Sequence, residues 1–100
     1  MPTVKVKIGG WLRQSLDEAL THPDGISLSV REGESLPGMA RQLAAQHDVF
    51  RRLLFEEKHQ EFGANVLVIL NGVLVNPHDR SEARLKEGDE VILLPVMDGG

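Results

Sequence analysis

The sequence predicts an α+β fold in which a mixed β-sheet is laid across one main helix. Three observations carry that reading: apolar residues at every second position near the start, a stripe of helical spacing after Ser35, and the tight-turn pair Asn71-Gly72 between two apolar runs. With 100 residues, 41% of them hydrophobic and 26% charged, the chain is sized for one domain with one core.

Val4, Val6 and Ile8 alternate with Lys5 and Lys7, which predicts a strand with one buried face, ended by Gly9-Gly10. Pro23-Asp24-Gly25 marks a turn, after which Ile26, Leu28 and Val30 repeat the alternation as a second strand. Residues 11 to 22 hold Trp11, Leu12, Leu16, Ala19 and Leu20, a spacing that fits either a helical turn or a long hairpin loop with apolar anchors. Trp11 itself reads as a packing residue. Ser35 then precedes Leu36, Met39, Ala40, Leu43 and Ala44, the stripe of an amphipathic helix with a hydroxyl cap and with Pro37 in its first turn.

A break near His47-Asp48 separates a second helical piece carrying Val49, Phe50, Leu53 and Leu54. Arg51, Arg52, Glu56, Glu57 and Lys58 read as its solvated face, with Arg52 and Glu56 spaced to pair one turn apart. Val66-Leu67-Val68-Ile69-Leu70 is apolar at every position, as in a strand buried on both faces, and Asn71-Gly72 turns it into a partner at Val73-Leu74-Val75. Gly88-Asp89 announces a last strand over residues 90 to 94, placed beside the first, in which Val91 and Leu93 are expected in the core and Ile92 and Leu94 on the opposite face. Pro95 is expected to end or loosen its pairing, so residues 1-94 form the domain and residues 95-100 a flexible tail.

Composition excludes several function classes. Without cysteine there is no disulfide, no thiolate-held metal and no thiol nucleophile. His22, His47, His59 and His78 lie 25, 12 and 19 residues apart, never at the spacing that puts two rings on one helix face, so no metal site is expected. No phosphate-binding glycine loop, dinucleotide fingerprint or nucleophile elbow occurs, and no cofactor bound by this chain is expected. A net charge of −4 argues against a nucleic-acid partner. No apolar run approaches the roughly 18 residues of a membrane span, and the opening residues lack a secretory pattern, so a cytoplasmic protein with no membrane partner is expected.

The chain ends in Gly99-Gly100. A strand that passes through Pro95 into two residues without side chains suits entry into a narrow channel, because only glycine has no Cβ to clash. The group so delivered is the terminal carboxylate. From Glu82 onward the chain also carries Glu87, Asp89, Glu90 and Asp98 against Arg84 and Lys86, a balance suited to a partner with a basic surface.

Several segments together resemble the ubiquitin-like sulfur-carrier family, which includes the small subunit of molybdopterin synthase and the thiamine-biosynthesis carrier. They are Val4-Lys5-Val6-Lys7-Ile8, Arg31-Glu32-Gly33-Glu34-Ser35-Leu36, Val68-Ile69-Leu70-Asn71-Gly72, Leu85-Lys86-Glu87-Gly88-Asp89-Glu90-Val91, and the ending from Leu94-Pro95 to Gly99-Gly100. The ending is more similar to the molybdopterin synthase subunit than to the shorter thiamine carriers, whereas residues 48 to 64 are longer than in compact carriers and are similar to larger members that serve cysteine formation, tRNA thiolation or protein modification.

The resemblance implies a β-grasp fold and a protein that is a carrier rather than an enzyme. It implies that an adenylating enzyme uses its own ATP to activate Gly100, that sulfur displaces AMP to leave a thiocarboxylate, and that a sulfur-acceptor enzyme such as a synthase large subunit receives it. Gly99 and Asp98 would thread the channel, and Ile92, Leu94 and Pro95 would meet partners. A modifier joined through Gly100 to lysines of other proteins shares the adenylation step and stays open, as does an interaction domain with a frayed tail. Asp98 stands where the family usually has a small or neutral residue, two residues from the reacting group, where like charges repel by about 1 to 4 kcal/mol. Contact with a partner cation and a solvated position at the channel mouth both remain open for it.

Overall fold

The alternation at the start of the chain forms β1 (Thr3–Ile8), with Val4, Val6 and Ile8 buried. The structure, a computed structural model, describes residues 1–9 and 25–96. The expectation for residues 11 to 22 lies outside them. Strand β2 (Ile26–Ser29) runs antiparallel to β1, pairing Val4 with Leu28.

Helix α1 (Leu36–Gln46) starts where Ser35 accepts a hydrogen bond on its hydroxyl from the Gly38 N–H at 3.1 Å, with Pro37 in the first turn where no N–H is needed. Leu36, Met39, Ala40 and Leu43 are wholly buried against the sheet. His47 takes an extended conformation and separates α1 from α2 (Asp48–Leu54), at the predicted break. Asp48 in the first turn of α2 and Arg51 and Arg52 in its last suit the helix dipole.

The second helix is shorter than its charge pattern suggests. Phe55 turns extended, and a small hairpin follows, β3 (Phe55–Glu56) against β4 (Glu61–Phe62), with Gln60 at φ 53°. The residues read as a solvated helix face therefore divide: Arg52 pairs with Asp48 at 3.3 Å instead of Glu56, and Arg51 reaches Glu57 at 2.8 Å. The reason is aromatic packing. Phe62 is buried, crosses Phe50 edge to face with 6.2 Å between ring centres, and pairs with Phe55 in register, which a continued helix would forbid. Glu56 closes the hairpin turn by accepting from the backbone N–H of His59, while the His59 ring nitrogen Nδ1 lies 3.0 Å from the same carboxylate.

Strands β5 (Val66–Leu70) and β6 (Val73–Val75) form the predicted hairpin, with Asn71 and Gly72 at φ 50° and 84°, the two positive values that a two-residue turn between twisted strands demands. A 3₁₀ turn (Pro77–Asp79) follows, and β7 (Glu90–Pro95) closes the sheet in the order β2-β1-β7-β5-β6. The last strand lies parallel to the first and antiparallel to β5. The result is a five-stranded mixed sheet with α1 on one face, a β-grasp fold as expected.

Two expectations change at the centre. β5 is not buried on both faces: Val66 and Val68 point into the core, whereas Leu67 is 40% exposed, because among the described residues the helices cover only one face of the sheet. Pro95 does not loosen the last strand. It is buried and sits opposite Val66, and the Val96 N–H donates to the Asn65 carbonyl at 2.7 Å beyond it. Because backbone N–H groups alternate sides, the bond at Val96 puts the missing N–H of Pro95 on the side away from β5, where β1 has already ended at Ile8. The paired strand thus runs past the expected boundary at residue 94.

Leu93 is wholly buried, whereas its neighbour Leu94 is only half-buried on the other face. Thermal and denaturant melts should show Leu93→Ala costing about 2 to 5 kcal/mol and Leu94→Ala about 1 kcal/mol or less. Equal losses would contradict this facing. The backbone hydrogen bond from His59 holds the Glu56 carboxyl below its ordinary value. A carboxyl lowered on folding adds stability that is present above its unfolded pKa and is lost as pH falls through the folded one. The protection of the His59 amide, taken relative to the unfolded chain at the same pH, should therefore fall in acid, and Glu56→Gln should abolish that dependence; an unchanged fall in the variant would exclude Glu56 as its source.

Candidate functional site

The sheet face turned away from α1 gathers an apolar cluster from three strands. Register sets its members: Leu67 lies opposite Leu94, Ile69 opposite Ile92, and Ile69 also opposite Leu74. Neighbouring strands lie about 4.8 Å apart, so these five side chains adjoin one another. Leu74 is 52% exposed and Leu67 nearly as much, while Ile69, Ile92 and Leu94 are half-buried. Leu94 also lies across the end of β1. A Cβ on Gly9 would come within 2.6 Å of its Cδ2 atom, so the absent side chain at Gly9 leaves room for it.

Polar groups border the cluster on one side. Lys7 stands beside Ile92 in register and pairs with Glu90 at 3.2 Å, both groups being more than a third exposed. Such a pair contributes little to stability but fixes charges of both signs at the rim. On the far side β6 ends the sheet, with Val73 66% exposed.

The end of the cluster nearest Leu67 and Leu94 is also where β7 runs out. Pro95 and Val96, the last described residues, follow Leu94 directly at this end of the apolar face. The opposite end of β7 is tied down closely. Asn71 donates from its side-chain amide to Asp89 and accepts from the Glu90 N–H, both at 2.9 Å, and the second Asp89 carboxylate oxygen accepts from the Lys86 N–H at 2.8 Å. Lys5 donates its N–H to the Asp89 carbonyl at 2.9 Å and Gly88 donates to Thr3. The Leu85-Lys86-Glu87-Gly88-Asp89 segment thereby sets the start of the strand that ends at the site.

Of the residues singled out from sequence, the structure places Ile92 and Leu94 together on the open face and Val91 and Leu93 in the core. It puts Pro95 on the buried face, so the apolar surface has Leu94 rather than Pro95 at its end. Asp98, Gly99 and Gly100 lie outside the described residues. Leu67, Ile69 and Leu74 were not singled out. The signal for them was the two-residue turn at Asn71-Gly72, which forces Ile69 and Leu74 to face each other, together with the supply of helix for one sheet face only. Among the described residues no three His, Asp or Glu side chains are grouped to hold a metal ion, and no helix is long and apolar enough to cross a membrane.

Comparison with known proteins gives this geometry a context. None of the curated proteins matches the sequence significantly. Among solved structures, small archaeal modifier protein 1 from Methanosarcina acetivorans is similar over 100% of this chain and 98% of its own, at 26% identity and a TM-score of 0.74. A putative molybdopterin converting factor subunit 1 from Pyrococcus furiosus is similar over 97% of this chain and 100% of its own, at 25% identity and a TM-score of 0.69. The HVO 2177 protein of Haloferax volcanii shares the fold at 23% identity, with a TM-score of 0.76 over 99% of this chain and 87% of its own. The model of the ThiS family matches residues 6–100, from within the first strand to the terminal glycine pair, and on that match the chain belongs to the ThiS family of ubiquitin-like proteins.

Proposed function

We propose that this protein is a sulfur carrier, most like the small subunit of molybdopterin synthase, whose Gly100 carboxylate is adenylated and then converted to a thiocarboxylate. What most supports the reading is that β7, the central strand, ends beside an open apolar face, so that one surface can dock while the chain end reaches elsewhere. Five residues follow Pro95, a span of at most about 17 Å when extended. That is long enough to place a carboxylate inside a partner while the folded body stays outside.

The chemistry needs help from that partner. A carboxylate is a poor electrophile, and attack of its oxygen on the α-phosphorus of ATP expels pyrophosphate and leaves an acyl-adenylate. A sulfide-level nucleophile supplied by the partner then attacks the carbonyl carbon, and AMP departs with the former carboxylate oxygen. The carrier contributes the electrophilic carbon, the reach of its end and the docking surface formed by Ile92, Leu94 and their neighbours. It acts as a co-substrate of an adenylating enzyme, with a sulfur-acceptor enzyme as its second partner, and a cytosolic location goes with that role. Carriage of sulfur toward cysteine synthesis or tRNA thiolation would use the same steps. The likeness to small archaeal modifier protein 1 favours a second reading, in which Gly100 is joined to lysines of other proteins through the same adenylate.

Intact mass separates the two. Incubated with its activating enzyme, ATP and a sulfur source, the untagged protein should gain about 16 Da, the difference between sulfur and oxygen, at its activated carboxylate. Deleting Gly100 or adding one residue after it should abolish the gain while leaving the melting curve unchanged. Conjugate ladders without any thiocarboxylate would favour the modifier, and undiminished turnover of the extended protein would defeat both readings. Leu94→Glu should weaken binding to the activating enzyme by about tenfold or more and leave the melt nearly as it is, because a charge would enter the apolar contact without entering the core. Wild-type affinity in that variant would remove Leu94 from the docking face.

A further inference from the structure

Arg80 is charged yet only 3% exposed, and it lies outside the apolar face. Its Nη2 donates to the Val66 carbonyl at 2.9 Å, its Nη1 stands 3.6 Å from Glu61 Oε1, and its guanidinium carbon is 5.8 Å from the centre of the Phe62 ring. Its Nε has no hydrogen-bond partner. Burying a guanidinium with one donor unmet is costly, so its place is explained only by something a greasy side chain could not do.

The β5–β6 register shows what that is. Leu70 faces Val73, Ile69 faces Leu74 and Val68 faces Val75, and two further steps put Val66 opposite Pro77. The Asn71 N–H bonds to Glu90 and the Val96 N–H to Asn65, so odd-numbered residues of this strand exchange bonds with β7 and even-numbered ones, Val66 included, point toward β6. Proline has no N–H to give the Val66 carbonyl, and the chain turns away there into the 3₁₀ helix. Arg80 supplies the missing donor from three residues further on.

We propose that Arg80 is a positioning residue for the end of β7 at Val96. By bonding the Val66 carbonyl it fixes the first residue of β5, and the adjoining Asn65 carbonyl is the one that holds Val96 at 2.7 Å. The β3–β4 hairpin serves the same end, since Glu61 and Phe62 hold the guanidinium in place. The consequence for sulfur transfer rests on the carrier reading, whereas the consequence for Val96 does not.

Arg80→Lys keeps the charge but loses the planar fork that reaches Val66 and Glu61 together. Amide exchange at Val96 should accelerate by about tenfold or more, while Lys5, bonded to Asp89 at the other end of the strand, stays within about twofold. Equal acceleration at both, or none at Val96, would overturn the proposal. With the activating enzyme, kcat for adenylation should fall by about tenfold with KM unchanged, because a docked carrier would present its carboxylate out of place. A rise in KM with kcat unchanged would mark a mere loss of folded carrier and would also overturn it. If the wild-type protein is not adenylated at all, the carrier reading fails while the exchange result still decides the role of Arg80. Should Arg80→Lys not fold, Glu61→Gln carries the same comparison, with Val96 exchange rising by about threefold against a constant Lys5 and an unchanged Val96 overturning the role.

Discussion

Placing the last strand at the centre of the sheet is the constraint on which the other features depend. β7 is bonded on one side to the first strand of the chain and on the other to β5, so the sheet is two separate pieces until the end of the chain arrives between them. Stability of both halves is thereby tied to a segment whose partners lie far away in sequence, a topology that folds more slowly than one built from local contacts. The same constraint explains the density of bonds at the start of β7. Asp89, buried and bonded through both carboxylate oxygens and its carbonyl, holds together the Lys86–Asp89 turn, the Asn71 turn and β1. With that end anchored, alternation alone assigns Val91 and Leu93 to the core and Ile92 and Leu94 to the open face.

Much of this was written in local pattern. The alternation of Val4, Val6 and Ile8 needs no distant information, nor does the cap at Ser35 with Pro37 behind it, nor the turn at Asn71-Gly72, and all three stand in the structure as read. The end of α2 was different. Arg52 and Glu56 keep helical spacing, and only the burial of Phe62 against Phe50 makes an extended Phe55 the better choice. Leu67 misleads for a related reason: an all-apolar strand looks doubly buried until it is known how many layers cover the sheet. Pro95 misleads because its cost depends on the phase of the ladder, and phase is set by pairing with Asn65 and Val66 rather than by the residue itself.

Arg80 illustrates the same limit in a polar residue. In the sequence it is one of eleven Lys and Arg residues with nothing to mark it. Its meaning comes from Pro77, which ends the β6 edge and in doing so leaves a carbonyl on β5 without a donor. A proline that stops an edge strand protects against strand-to-strand aggregation, and the unpaired carbonyl behind it is the corresponding cost. Pro77 and Arg80, three apart, thus account together for a buried charge: the side chain of one supplies the donor that the other lacks.

The open apolar face and the short edges answer opposite demands. A surface built to be covered by a partner must stay apolar, yet an uncovered apolar sheet next to a free edge invites association between copies. Among the described residues the face is confined to five side chains, the β6 edge is three residues long, and β2 at the other edge shows Ser27 and Ser29 to solvent. Lys5, Lys7 and Glu90 occupy the same face beside the cluster, so a surface laid over it without matching charges would have to strip water from them uncompensated. A cognate partner with opposite charges in the matching places would not suffer that cost. On the proposed docking role the rim would select among surfaces while the apolar centre would supply adhesion, and the two sets occupy different parts of the sheet, the charges on β1 and at the start of β7, the leucines and isoleucines on β5, β6 and the rest of β7.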